Sequence, residues 1–384
     1  GDVVAIGNLD NVGGVPLLGA ARWDGSAWHA MGNGLGNVAS LQYLPALAFA
    51  NMADKRGIKL SFMVDVAQQL FLAPLRKSSR HIETQYSLWE HTVKTLKERG
   101  HDIQLHIHPQ WLEASVEDDY YFLSNKWNLG GYTEVQQRQL VGDSIAYLND
   151  LLRPIDPSYA VVGYKAGSWG MQPSSTLMSI LKENGVNIVM GARDGMYIPG
   201  NGVDFRDMEE KSLPYHPNWS DLTKISKDKT GPVMLPMHSY APGPVALANL
   251  VASKVFGRAK HVKRDMAHYQ RRPTPKQIEG LSPLRGRQQL RLSARPYVTH
   301  LKIGDVPFSY LKSSFASVVS RLRRLDSPRI PIVIESHTKQ FPGSYSDIER
   351  FLDHVMERYS NEVEFGTVSG FSKELQLNAA LARP

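Results

Sequence analysis

The chain contains no cysteine, which removes disulfides, thiolate metal sites and cysteine nucleophiles together. Any metal must be held by histidine and carboxylate. No run approaches the roughly 18 to 20 apolar residues that cross a bilayer, and the first residues lack a basic stretch followed by an apolar one. The expectation is a soluble protein with no transmembrane segment, cytoplasmic rather than periplasmic or secreted. Because the first residue is Gly1 rather than Met, a processed product and a lost signal peptide stay open. Stacking aromatics are scarce where positive charge is dense. Phe256, Tyr269 and Tyr297 are the only Phe, Tyr or Trp at or beside it and no reader motif is present, so nucleic acid is not the expected partner.

What is present suits a soluble enzyme. With 384 residues, 42% apolar and 21% charged, the chain can bury one large core or two ordinary ones. Its formal charge of +7 is unevenly placed. Residues 254–295 carry twelve Lys or Arg against Asp265 and Glu279, so the remainder is slightly acidic. That stretch reads either as a solvated insertion or as a patch that contacts an anionic surface such as a charged glycan, lipid headgroups or a partner.

Periodicity organises the rest. Short β-rich runs alternate with longer helical ones, the pattern of β-α units around a parallel sheet, for which a barrel is the natural closure. Helices are expected over 41–56, 89–99, 135–152, 174–184, 315–325 and 345–359, and strands over 58–64, 103–108, 160–164, 186–190, 330–335 and 363–368. Gly57, Gly100 and Gly185 end three of the helices. Residues 195–236 and 254–297 read as long loops or insertions. The first forty residues differ in texture, with nine glycines and a run from Ala21 to Trp28 like a β-propeller blade motif. A single copy cannot build a propeller, so residues 1–40 are read as a glycine-rich entry and 41–384 as the barrel, carrying the basic insertion at about 254–295.

Three strand ends carry the chemistry. In His101-Asp102-Ile103-Gln104-Leu105-His106-Ile107-His108-Pro109-Gln110-Trp111, residues two apart share a face, so His106 and His108 point the same way. Two imidazoles on one face at a strand's carboxyl end are a start for a zinc site; the other reading is hydrogen-bonded core histidines. In Gly163-Tyr164-Lys165-Ala166-Gly167-Ser168-Trp169-Gly170, Lys165 is a cation able to orient a carboxylate, Gly167 permits close backbone approach and Trp169 offers a ring for sugar stacking. The run Ile332-Val333-Ile334-Glu335-Ser336-His337 delivers Glu335 and His337 to one face. His337 suits a general acid or base because an imidazole titrates near neutrality.

Together, in this order, these clusters resemble the polysaccharide deacetylase family of NodB-homology proteins, above all the subgroup whose strand reads like His101 to Trp111. The likeness extends over about 41–195 and 296–370, with Gly57 to Asp65 resembling the second strand. It implies a distorted (β/α) barrel of about seven strands, a divalent metal, usually zinc, and removal of acetyl groups from N-acetylated sugars. Carried across, His106 is a metal ligand and His337 protonates the leaving group. Lys165 stands where the family has Arg. The family's second histidine falls four positions after the first, here Gln110, a poor zinc ligand, so either His108 takes that role or the site has lost affinity. The first acidic motif maps best to Asp24, after Asp10, as catalytic carboxylate and third ligand, with Asp65 as an alternative.

The expected activity is thus a metal-dependent hydrolase acting on the carbon–nitrogen bond of an N-acetylated glycan. Asp24, His337 and Lys165 are its catalytic set, and Asp24, His106 and His108 its metal set. Trp111, Trp169 and Tyr215 form a sugar platform, and Asp204 joins Lys165 in orienting the site. The rivals are a metal-dependent hydrolase of a non-sugar amide, since one barrel hosts many chemistries, and a non-catalytic glycan-binding barrel, favoured by Gln110 and Lys165. A glycosidase is disfavoured because the clusters are histidine-rich rather than paired carboxylates.

Overall fold

The computed structural model describes residues 3–6, 11–12, 15–16, 20–23, 28–30, 43–117, 120–240, 269–271, 299–304, 306–327, 329–338 and 344–381. Asp10 and Asp24 lie outside the described residues, as does the basic stretch 254–295 apart from the short strand Tyr269–Arg271. At the N-terminal end, strands Val3–Ile6, Ala20–Trp23 and Trp28–Ala30 pair with one another in an antiparallel sheet.

From residue 43 onward helices and strands alternate. In chain order they are α1 (Leu44–Asp54), β1 (Ser61–Asp65), α2 (Ala67–Leu72), α3 (Arg80–Glu98), β2 (Asp102–Ile107), α4 (Glu134–Leu152), β3 (Gly163–Ala166), α5 (Ser175–Glu183), β4 (Ile188–Met190) and β5 (Val233–Leu235). After these come α6 (Phe308–Leu322), α7 (Tyr345–Arg358) and α8 (Val368–Leu381). The unit is helix, glycine, strand: Gly57, Gly100 and Gly185 all hold a left-handed backbone, with φ of 70°, 79° and 81°, which a side chain would oppose. At its other end α4 starts on a capping box, Thr133 and Gln136 each satisfying the other's backbone.

All five strands are parallel, and their order in space, β5-β4-β3-β2-β1, is their order in the chain. A sheet without a reversal point winds in one direction only, and its connections place helices over one face. The other face is built in rungs. Lowest is Ser61 beside Asp102. Above it come Met63 and Gln104 from β1 and β2, and Gly163 beside Ile188 beside Val233. Uppermost is one row across all five strands, Asp65, His106, Lys165, Met190 and Leu235. Met63 of one edge and Val233 of the other pack against a single apolar cluster made of Ile188, Met190 and Leu235, which Val333 and α8 residues Val368, Phe371 and Leu375 also touch.

The lower end of this face is closed by the start of α8. Ser61 Oγ accepts Val368 N–H at 2.9 Å, Asp102 accepts Ser369 N–H at 3.0 Å and Ser369 Oγ–H at 2.7 Å, and Ser372 Oγ donates to Asn187 Oδ1. Asp102 also receives the amide of Gln104 and the hydroxyl of Ser61. With the N-terminal ends of the strands sealed, the open end is the carboxyl one. Among the described residues no helix is long and apolar enough to cross a membrane.

Several expectations are corrected by the structure. The segment 330–335 joins no ladder among the described residues beyond one bridge, Lys302 to Glu335. Pro331 has no N–H to give, and its carbonyl takes His238 Nε2 instead. It nonetheless alternates like a strand: Val333 meets the interior cluster while Ile332 and Ile334 pack outward with α1, α6 and α7 residues. No strand forms over 363–367, and Val368 begins α8. Strand β3 starts three residues later than expected, since Gln104 Oε1 takes the N–H groups of Val162 and Gly163. Helix α6 begins seven residues earlier, just after Pro307, and α3 nine earlier. The stretch 195–236 is not plain loop: it holds the hairpins Tyr197–Ile198 with Val203–Asp204 and Pro217–Asn218 with Asp221–Ile225, and then β5.

Asp102→Ala should strip the partners from two strands and α8 at once. The expected loss is about 3 kcal/mol, the cost of several buried polar groups left unsatisfied, against about 1 kcal/mol for Ser369→Ala, both read from urea unfolding midpoints.

Candidate active site

The uppermost rung places unlike chemistries side by side. Its β1–β3 part is carboxyl, imidazole and ammonium; its β4–β5 part is Met190 and Leu235. The site is therefore polar along one wall and apolar along the other.

His106 anchors the polar wall. Its ring is 8% exposed, and Nδ1 lies 2.7 Å from the carbonyl oxygen of Lys165 on the next strand. A carbonyl only accepts, so Nδ1 carries the proton and Nε2 presents a lone pair. Burial holds the His106 pKa well below the ordinary imidazole value, and the nearby His108, Lys165 and His337 push it the same way. The ring is neutral at physiological pH. Its Nε2 stands 3.1 Å from His108 Nε2, the rings nearly perpendicular at 88°.

That spacing has two readings, which Gln110 connects. Two nitrogens bound tetrahedrally to one cation at about 2.1 Å stand about 3.4 Å apart, so 3.1 Å is close to a shared ligand pair. Alternatively His108 Nε2–H donates to His106, with the Gln110 amide N–H donating to His108 Nδ1 at 3.5 Å. In that second arrangement Gln110 Oε1 is buried with no partner. Turned about its last bond, the amide has the same shape, and Oε1 then accepts from His108 Nδ1–H. The turn satisfies the orphaned oxygen and leaves both Nε2 lone pairs converging. The donor set thus fits a cation through two imidazoles, each fixed by a hydrogen bond at its other nitrogen as metal-binding histidines usually are. Among the described residues no third His, Asp or Glu completes a cluster.

Asp65 ties the mouth together without joining that pair. Its Oδ1 accepts N–H groups from His108 and Ala67, each at 3.2 Å, and the Trp111 side chain and Gln68 backbone also donate to it. Burial nevertheless pushes its pKa up to about 7. Trp111 is buried between Phe71 and Tyr121.

The third wall element is the end of β3. Gly167 is required there: a Cβ would lie 2.1 Å from Ile107 O and 3.0 Å from His108 Nδ1. After it the backbone turns through Ser168 and Trp169 with φ of 50° and 65°, unfavourable for side-chain residues by roughly 1–3 kcal/mol each. Asn201 holds this turn by donating to Ser168 O. The turn brings the Trp169 ring over Lys165, with Nζ 4.6 Å from its centre. On its other side Nζ meets Glu335 Oε2 at 3.2 Å, both side chains only 11% exposed. His337, two residues on, is exposed and close enough to act on His106 electrostatically.

No protein-family model matches the chain, and no curated protein matches it either. Among the solved structures that are similar to it are two glycan-acting enzymes by name. A candidate polysaccharide deacetylase from Mycobacterium smegmatis is 12% identical over 83% of this chain and 82% of that one, with a TM-score of 0.33. A GH57-type branching enzyme from Pyrococcus horikoshii is 12% identical over 88% of this chain and 65% of that one, with a TM-score of 0.42. Likenesses of that strength carry no argument, so the chemistry rests on the residues themselves.

Of the residues singled out from sequence, His106, His108, Lys165 and Trp169 come together, and His337 lies within electrostatic reach. Asp24 falls outside the described residues. Tyr215 is buried in the main core, its hydroxyl donating to Leu222 O. Asp204 pairs with Arg206, which stacks on Tyr197, and its N–H donates to Gln172. Sequence reasoning gave too little weight to Glu335, although its two-residue spacing from His337 was the available signal.

The raised Asp65 pKa has a calculable effect on stability. A folded-state pKa of about 7 against an unfolded value of 3.8 means the folded protein favours the protonated acid, so this stabilising contribution is complete below about pH 4 and lost as pH rises through 7. In metal-chelated protein, Asp65→Asn should flatten that fall. Urea unfolding of both proteins across pH 4 to 8 checks it, and parallel curves would show that Asp65 is ionised throughout.

Proposed function

We propose that the chain is a metal-assisted hydrolase that removes acetyl groups from N-acetylated sugars of a glycan, working in the mouth of a distorted (β/α) barrel. The observation that carries this reading is the convergence of His106 Nε2 and His108 Nε2 at 3.1 Å, above a sheet whose edges share one apolar cluster. Ligand sites in parallel α/β folds lie at the carboxyl ends of the strands, where this pair stands.

His106 and His108 would hold a divalent metal, zinc by the preference of paired imidazoles, with Asp24 as the expected third ligand. When bound, such a metal polarises the acyl carbonyl and makes water a stronger acid. The protein's own groups do the rest. Hydrogen bonds donated by the imidazoles to Lys165 O and to the turned Gln110 Oε1 keep both rings in the tautomer that faces the substrate. Trp169 gives a sugar ring a stacking face, whereas Trp111 and Tyr215, buried in the core, do not take part in that platform. Met190 and Leu235 line the side that takes an acyl methyl group. His337, exposed at the end of the same segment as Glu335, delivers a proton to the departing nitrogen.

The absence of a third metal-binding side chain among the described residues favours one alternative, a glycan-binding barrel in which the His108–His106 contact is a plain hydrogen bond. Elemental mass spectrometry separates the two. The hydrolase should carry about one zinc per chain, lost in His106→Ala, and should release acetate from chitotetraose. A parent protein that stays metal-free after incubation with zinc belongs to the alternative.

A further inference from the structure

Glu335 occupies an improbable place for a structural residue. Ion pairs shielded from water gain little over well-packed apolar side chains, because desolvation offsets the attraction. Val333, two residues earlier in the same alternating segment, packs against Ile188, Met190 and Leu235, so the wall could have continued apolar. Instead the chain sets a carboxylate against Lys165 at 3.2 Å, 11% exposed, and fixes the backbone behind it. Glu335 N–H donates to Leu301 O and Glu335 O accepts from Ile303 N–H, giving the otherwise unladdered segment 330–337 its one bridge. Lys165 is held in turn, its backbone paired with His106 and its ammonium under the Trp169 ring. That ring is in place only because Ser168 and Trp169 adopt left-handed backbone, the kind of strain that persists at functional sites. Two inputs therefore fix this carboxylate, its own backbone bridge and the ammonium of Lys165, whose partner on the next strand is His106.

We infer that Glu335 is the general base of the reaction proposed above, on which this inference rests, and that Lys165 is its positioning residue. Glu335 takes one proton from a water molecule as the water oxygen bonds to the acyl carbon. The carbon–nitrogen bond then breaks, with the electron pair and a proton from His337 going to the nitrogen. Glu335 returns its proton through solvent to His337, leaving acetic acid, which ionises, and the free amine. The ammonium of Lys165 donates to the carboxylate oxygen facing it, turning the other oxygen towards the water.

The test is chemical rescue with chitotetraose as substrate and zinc content measured in parallel. Glu335→Ala should lower kcat by 10²- to 10⁴-fold, the usual weight of a general base, with KM and zinc content close to the parent's, and sodium formate should restore part of kcat. Glu335→Gln, which keeps the shape and a hydrogen-bonding end beside Lys165, should show the same fall in kcat with an unchanged melting temperature and no rescue; it decides the matter if the alanine variant does not fold. Activity within tenfold of the parent in the glutamine variant would overturn the assignment while leaving the hydrolase standing. So would loss without formate rescue in a folded alanine variant, which would make Glu335 a structural clasp. A parent that binds zinc but releases no acetate overturns both.

Discussion

The mouth of this protein depends on the register in which β1, β2 and β3 pair. Side chains on a strand alternate between faces, so a slip of one residue turns every functional group away from the interior. In the observed register, Asp65, His106 and Lys165 stand in one row, and the hydrogen bond from His106 Nδ1 to Lys165 O crosses from one strand to the next. That bond sets the tautomer of His106, and hence the direction of its lone pair. Burial then keeps the ring neutral. Register, tautomer and charge state follow from one another.

Around that row the structure separates support from chemistry by height. The lower rungs hold Asp102, Ser61 and Gln104, polar groups whose partners are other protein atoms. At and just beyond the upper rung lie groups whose partners are incomplete or replaceable, such as Gln110 Oε1 and the paired Nε2 atoms of His106 and His108. Buried polar groups are normally satisfied, and a network left partly open is where a ligand has most to offer. Asp102 and Asp65 are both inward-facing carboxyl groups near strand ends, but only the lower is used to close the fold.

Much of this was legible in the sequence. Helix–glycine–strand repetition gave the parallel sheet, and the two-residue spacing of His106 with His108 gave the shared face. The Gly167 close approach was readable because no other residue suits that contact. What was not legible involves groups distant in the chain. Gln104 caps β3 by taking two backbone N–H groups across 58 and 59 residues, so the strand begins late. Glu335 finds Lys165 across 170 residues of sequence, and nothing local to either predicts it. Pro331 breaks a ladder that the apolar pattern alone would have drawn.

The closure of the lower end by α8 sets the order in which the molecule can be completed on the ribosome. Ser61 and Asp102 leave the exit tunnel early, yet the groups that satisfy them, the backbone and hydroxyl of Val368 and Ser369, are made more than 260 residues later. Until then a parallel sheet with an open apolar floor must wait, and such sheets form slowly because their contacts are far apart in sequence. The sheet, once Val233 has completed it, is thus exposed to aggregation until α8 emerges, and a chaperone that shields the Met63–Ile188–Val233 floor would act on this chain in that interval.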